Sequence, residues 1–516
     1  MHRWRLQAAA FLAGMVAVGG LPPYGQQPLM ILALTVLIVA AMQVSWKRGA
    51  WLGFFFGLGH HLLGFSWLLT SLNHYGGLWM GVALVVLSLL AATMAVYVAL
   101  FAALLPQLAR RPGLIPLAAP ALWVITEWLR GHLFTGFPWN LVGYGWNNRP
   151  WIMQMADLGG VQLLSWFMVF PASVLALIWI RRFAVPTLSL GLILIAGSML
   201  LASAYGLWRS DQLSALQHQD AWVQPLKVAM VQGNVEQSQK WDPKYREQGL
   251  IKYLGLSGNI NEPIDLVVWP ETAIAFFIQA SPENMKRIGT LSQRLGAPIL
   301  TGAPMADRNP DADKRWLFYN SMILLDAKGD LTRRYDKHHL VPFGEFIPFR
   351  GIMPSFIKKL TYGSEDFSRG PGPVPMPWEH GAIGALVCYE TIFPDEVREL
   401  ALANARWLIN VTNDAWFGEA AKPQHLAMAQ MRAVENRLPM IRVANTGISA
   451  SFDQTGRELG RIEPNVAGTL IVHVPQGVGK SFFQITEPWW ILLWVYMCIT
   501  SWLMGRHRSQ TEKTVA

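Results

Sequence analysis

The stretch "GALVCYETIFPDE", residues 384–396, passes from an apolar run into a cysteine and then into polar residues. Its apolar run reads as part of a strand, and Cys388 follows it directly, two positions before Glu390. The 516-residue chain has one other cysteine, Cys498, so no disulfide framework accounts for either. Cys498 falls inside "WWILLWVYMCITSWLMG", where a small apolar side chain needs no further reason. Cys388 has a polar sequel and calls for a chemical one.

Working outward, the same kind of segment recurs. "LKVAMVQ" (226–232), "IDLVVWPE" (264–271), "APILTGAP" (297–304), "NSMILLDA" (320–327), "AIGALVCYE" (382–390), "ARWLINVT" (405–412), "PMIRVAN" (439–445) and "GTLIVHV" (468–474) are short and rich in β-branched residues. Residues 283–295 and 424–437 between them have helical spacing. This alternation predicts an α/β layered domain of roughly 250 residues, large enough for its own core. Reactive side chains in such domains often project from strand ends, and both "VVWPE" and "ALVCYE" put a polar residue there.

The first 208 residues are different. They hold ten Lys/Arg and two acids, Glu127 and Asp157, and so carry most of the formal +9 of the chain. A nucleic-acid footprint would cluster its basic residues on a soluble face, so this partition argues against a nucleic-acid partner. Charge-free stretches run from Leu6 to Trp46, Gly49 to Ala109, Leu158 to Ile180, Phe183 to Trp208 and Pro488 to Gly505. About 20 apolar residues cross a bilayer as a helix. The first two stretches break at "LPPYGQQP" and "SLNHYGG", turn-forming clusters, and a shorter run spans Leu114 to Trp128. Seven spans are expected within residues 1–208 and an eighth at 488–505, joined by linkers 209–225 and 476–487 to a soluble domain at 226–475. Arg3/Arg5, Lys47/Arg48, Arg110/Arg111, Arg181/Arg182 and Arg506/Arg508 fall at every second connection. By the positive-inside bias both termini, including the tail 506–516, are expected to be cytoplasmic and the soluble domain extracytoplasmic.

Three residues of that domain fit one chemical requirement. A thiol with pKa near 8.5 is mostly protonated at neutral pH, so a working nucleophile needs a base or a nearby cation. Glu271 in "VVWPETA" can be the base. Lys337 in "RRYDKHHLVPFGEFIP" can hold the charge that develops on a carbonyl oxygen, helped by the backbone N–H of Tyr389. Taken singly, each has an ordinary alternative as a solvated terminus, a surface lysine or a core cysteine. His338 and His339 have no metal-ligand spacing, so neither a metal nor another cofactor is expected.

The order Glu, Lys, Cys within "WPE", "YDKHHLVPFGE" and "CYE" resembles the nitrilase, or carbon-nitrogen hydrolase, superfamily, whose fold is an αββα sandwich. The resemblance covers about 226–475, including "NVTNDAWFG" and "MRAVENRLPMIRVANTGIS". With spans before and after that domain, the whole chain resembles the bacterial apolipoprotein N-acyltransferase family. That resemblance implies a multi-pass inner-membrane enzyme with a periplasmic catalytic domain, probed by two lipids. Cys388 would take an acyl chain from a phospholipid, commonly phosphatidylethanolamine, as a thioester. It would then pass the chain to the α-amino group of the diacylglyceryl-cysteine of an apolipoprotein. Glu345 and Glu390 match acidic positions that accompany the triad, and Trp241 and Trp416 match positions linked to substrate handling. A monomer is expected. Aromatic residues in "FTGFPWNLVGYGWNNRPW" (134–151) read either as a wall for lipid access or as an ordinary aromatic belt. "IMPSFIKKLTYGSEDF" (352–367) reads as a loop that dips into headgroups. Two other functions use the same residues. A membrane-tethered amidase would accept water as second nucleophile, and a non-catalytic lipid-binding or transport protein would have no reason to keep all three triad types.

Overall fold

Both faces of strand β1 (Leu226–Gln232) are buried, and this sets the architecture of the C-terminal half. Ala229 and Val231 face a helix layer, while the Gln232 side chain on the opposite face accepts a hydrogen bond from Ser449 at 2.6 Å. The computed structural model describes residues 3–219, 224–240, 242, 244–309, 316–351, 359, 366–477 and 480–514. The chain forms two units. One comprises Met1–Leu69, Leu78–Gln212 and Ser481–Ala516; the other comprises Thr70–Gly77 and Leu213–Lys480.

The second unit has two sheets. After β1 come β2 (Leu266–Val268), β3 (Ile299–Arg308), β4 (Trp316–Leu325), β5 (Leu331–Asp336), β6 (Ala382–Val387), β7 (Ala405–Thr412), β8 (Met440–Ala444), β9 (Ser449–Phe452), β10 (Glu458–Ile462) and β11 (Gly468–Val474). The six-stranded sheet has the order β11-β1-β2-β3-β4-β5, and the five-stranded sheet β10-β9-β8-β7-β6. Helices Arg246–Gly258 and Pro282–Leu295 cover the first sheet through Leu250, Tyr253, Ile288 and Leu291, packed on Val267, Ile299 and Ile323. Helices Pro394–Leu402 and Gly418–Asn436 cover the second through Val397, Leu400, Leu426 and Ala433, packed on Leu386, Leu408 and Met440. Helix, sheet, sheet, helix is the αββα sandwich expected of the domain. At about 25 cal/mol per Å², apolar burial of this kind is the main favourable term in such a fold.

Strands β6, β7 and β8 of the second sheet run parallel. Their C-terminal ends therefore lie at one edge of the sheet, where α/β folds gather their chemistry. Strand β6 stops at Val387, and Cys388 opens a short 3-10 turn, Cys388–Ile392.

The first unit is helical. Helices Arg3–Ala17, Gln27–Met42, Trp46–Gly64, Met80–Leu108, Ile115–His132, Ala156–Ile180, Val185–Gln219 and Phe482–Thr514 fall in the apolar runs of the sequence. Among the described residues, five helices are long and apolar enough to cross a membrane, beginning at Met80, Pro112, Ala156, Val185 and Phe482, and Gln27–Met42 is apolar but shorter. Helices Arg3–Ala17 and Trp46–Gly64 pack closely because glycine lines their contact: a Cβ on Gly14 would lie 1.9 Å from the Phe56 carbonyl oxygen.

The aromatic segment 134–151 does not form an open wall. Trp139, Tyr144 and Trp146 are buried, whereas Phe134 and Trp151 are exposed. Non-helical backbone at membrane depth must find its partners within the protein. Here the Arg130 guanidinium donates to the carbonyls of Trp139 (2.7 Å) and Phe137 (3.3 Å), Glu127 accepts from the Val142 N–H (2.9 Å), and Ser165 accepts from the Gly143 N–H (3.0 Å). Those charged residues fasten the segment to the bundle. Most of the loop 352–367 lies outside the described residues, but Lys359 sits 5.0 Å above the Phe367 ring.

Candidate active site

Cys388 has φ of 51°, in the left-handed region that a side chain with a Cβ adopts at a cost of about 1–3 kcal/mol. The surroundings hold it there. Glu390 accepts from the Val387 N–H at 2.7 Å, just before the cysteine, and from the His338 N–H at 2.7 Å, just after Lys337. It also accepts from His339 N–H (3.1 Å) and the Tyr335 hydroxyl (2.8 Å). One buried carboxylate thus ties the turn after β6 to the end of β5. Glu390 reaches Lys337 through its neighbours, whereas Glu345 reaches it directly, with Oε2 2.9 Å from Nζ.

On the other side of the turn, Asn410 donates to the carbonyl oxygens of Leu386 and Cys388, both at 3.3 Å. Arg442 donates to Asn410 Oδ1 at 2.6 Å and to Asp414 Oδ2 at 2.6 Å, and Thr412 donates to Asp414 Oδ1 at 2.9 Å. His425 Nδ1 lies 3.1 Å from the same oxygen. Arg442 and its neighbours hold the Asp414 carboxyl well below the usual range, despite complete burial. Leu386, Asn410 and Arg442 are successive register partners across β6, β7 and β8. The row of side chains beneath the cysteine is therefore set by strand pairing.

Glu271 follows β2, and its geometry is asymmetric. Oε1 accepts from Asn320 at 2.8 Å, while Oε2 is buried without a hydrogen-bond partner among the described residues. The same Asn320 amide donates to Glu345 at 2.8 Å, which links Glu271 to the group that holds Lys337. The turn after Glu271 needs Gly302 beside it, because a Cβ there would sit 2.4 Å from the Thr272 nitrogen. Burial pushes the Cys388 thiol up, the Glu271 charge pushes it further, and Lys337 opposes both. Against the opposing effect of burial, Glu345 and then Glu271 hold the Lys337 ammonium above its ordinary value. The three ionisable groups act on one another, and the thiol is protonated at rest.

Tyr389 is buried, with its ring 5.1 Å from Phe393 and 5.7 Å from His339. His339 Nδ1 pairs with Glu396 at 2.5 Å, and His338 Nδ1 faces the Gly370 carbonyl at 2.9 Å. Trp416 lies in the 3-10 segment Asp414–Phe417, half-buried, with the Tyr75 ring 5.2 Å away. The Ser71 hydroxyl donates to its carbonyl at 2.5 Å. Trp241 lies outside the described residues. Sequence reasoning missed Asn320, the Asn410–Arg442–Asp414 group and Lys240, whose Nζ donates to the Glu271 carbonyl at 2.9 Å. An arginine inside "PMIRVAN" and an asparagine inside "LINVT" were visible as polar interruptions of buried strands. Lys240 gave no such sign.

Compared with known proteins, residues 13–174 match the family described as apolipoprotein N-acyltransferase N-terminal domain. Residues 227–482 match the carbon-nitrogen hydrolase family, across both sheets. The apolipoprotein N-acyltransferase of Vibrio parahaemolyticus is 33% identical, over 98% of this chain and 99% of its own. That of Geobacter metallireducens is 36% identical, over 92% of this chain and 90% of its own.

Proposed function

The chain belongs to the apolipoprotein N-acyltransferase family, and from that premise we propose that Glu271, Lys337 and Cys388 carry the acyl transfer in two half-reactions through a thioester on Cys388. One observation carries the assignment. A thiol held protonated by burial needs a base, and Glu271, which already acts on that thiol electrostatically, has one oxygen anchored and one buried oxygen open.

In the first half-reaction Glu271 takes the thiol proton and Sγ adds to the ester carbonyl carbon of a phospholipid. Lys337, fixed by Glu345, and the Tyr389 backbone N–H stabilise the oxyanion. Collapse breaks the acyl C–O bond, the glycerol oxygen regains the proton from Glu271, and a lysophospholipid leaves. In the second, the neutral α-amino group of the diacylglyceryl-cysteine of an apolipoprotein adds to the thioester. It yields a proton to Glu271, the C–S bond breaks, and the proton returns to sulfur. The product is the amide-linked, triacylated lipoprotein.

Phosphatidylethanolamine is the proposed donor, with Trp241 and Trp416 assigned to handling lipid or lipoprotein and Glu390 to holding the turn. The chain is a multi-pass membrane protein. The alternation of basic pairs supports eight spans, at 1–208 and 488–505, both termini in the cytoplasm and residues 226–475 in the periplasm of a bacterial inner membrane. The enzyme is taken to work as a monomer.

Incubation of the enzyme with phospholipid but no acceptor tests the scheme. It should release a burst of lysophospholipid equal to the enzyme present and then stop. Continuous release of free fatty acid would instead identify an amidase-like hydrolase that uses water.

A further inference from the structure

Two buried lysines lie near Glu271 and Cys388, and they are held in opposite ways. Lys337 is paired with Glu345 at 2.9 Å. Lys240 ends the short helix Gln237–Lys240, is 3% exposed, and makes its hydrogen bond to a neutral acceptor, the Glu271 carbonyl oxygen at 2.9 Å. Among the described residues no carboxylate forms an ion pair with it. Burying an ammonium without a carboxylate is expensive, so an unpaired one beside a reaction centre needs a reason. The charged and ionisable groups that act on it are Glu271, after β2, and Cys388, after β6. Around that thiol, Lys337 and Asp414 complete the set.

We infer that Lys240 is a second cation of the catalytic centre, a positioning residue that fixes the Glu271 backbone and whose charge favours the sulfur anion formed before acylation and again when the amine expels it. No new bond is made to Lys240, so the proton balance of both half-reactions is unchanged. Its role is electrostatic. Lys337 is shared with Glu345, so it meets the sulfur anion already partly neutralised. As the thiol proton passes to Glu271, the negative charge moves to sulfur, and without Lys240 that charge and the Glu345 carboxylate would share one ammonium.

The charge of Lys240 is also conditional. Burial brings its pKa down to about 8, against the opposing effects of Glu271 and Cys388. It is therefore charged below that pH and neutral above it. An arginine at this position stays charged throughout.

The inference rests on the Cys388 thioester, which the wild-type burst tests by itself; the variants then test Lys240. Acylation by phosphatidylethanolamine vesicles is measured as the burst rate from pH 6 to 10, for the full-length wild type, Lys240→Arg and Lys240→Met, with thermal unfolding of each. Wild type should lose rate above about pH 8. Lys240→Arg should keep its rate there. Lys240→Met should be about tenfold slower at pH 7, and the rise of its rate with pH should move up by about one unit, because losing a nearby cation disfavours the sulfur anion. A uniform loss in Lys240→Met with the wild-type pH profile would make Lys240 merely structural and overturn the inference. A fall above pH 8 that persists in Lys240→Arg would do the same, and that variant decides the matter if Lys240→Met fails to fold.

Discussion

Glu271 has one oxygen held by Asn320 and one open, so removing its charge while keeping its shape separates anchoring from proton transfer. Glu271→Gln should keep the Asn320 contact and lose about 10² to 10⁴ in the rate of thioester formation, the usual worth of a general base. Single-turnover acylation measures this, and a wild-type rate would reduce Glu271 to a structural partner of Asn320. Glu390 is a different kind of carboxylate. Burial, then Glu396, push its pKa up to about 7, while Lys337 and the backbone N–H donors oppose them. A folded-state pKa above the unfolded value means that the folded protein binds the proton more tightly. The resulting stability is complete below the unfolded pKa of about 4.5 and is lost as pH rises towards 7. Glu390→Gln should flatten the pH dependence of the unfolding midpoint in that window. Asp414, whose folded pKa is depressed, loses its contribution only at more acidic pH, so the two do not overlap. An unchanged slope between pH 5 and 7 would show that Glu390 stays ionised.

At the scale of elements, the row Leu386–Asn410–Arg442 links three parallel strands beneath the strained cysteine turn. Arg442→Met would leave Asp414 buried without its cation and Asn410 without the donor that orients it. Breaking a buried pair from one side costs about 3–5 kcal/mol. The unfolding midpoint in detergent should drop accordingly, and an unchanged midpoint would mean that His425 and Thr412 suffice. Strands β1, β7 and β11 were legible residue for residue, because both faces of β1 and β7 are buried and all three are short apolar runs that include β-branched residues. Strand β5, "LTRRYD", was not, since an edge strand can expose charge and so lose the apolar pattern. Strand β9, "SASF", is three small residues and a phenylalanine, too short for a periodic signal. "AIGALVCYE" read as one strand, but it ends at Val387, where positive φ turns the chain and aims the cysteine. Glu271 and Cys388 could be found because each follows a legible apolar strand, and Lys337 through the motif "YDKHHLVPFGE". Asn320 sits within β4 and Lys240 in a four-residue helix, where only tertiary contacts reveal a role.

At the scale of the whole molecule, the division of charge separated an apolar helical part from an α/β part. It gave no hint that Thr70–Gly77, a turn between apolar helices, belongs to the same unit as Glu271, Lys337 and Cys388. Tertiary contacts such as Tyr75 against Trp416 carry that information. The proposed orientation has its own check: a reporter active only outside the cytoplasm should work when fused after residue 220 and fail at either terminus. Activity of a cytoplasmic reporter after residue 220 would reverse the topology. The most direct measurement is peptide mass spectrometry of the full-length enzyme after exposure to phospholipid. One fatty acyl chain should be found on the peptide that carries Cys388, absent in Cys388→Ala, retained in Cys498→Ala, and discharged on addition of a diacylated lipopeptide. Turnover without an acyl group on Cys388, or an adduct that survives Cys388→Ala, would contradict the thioester mechanism.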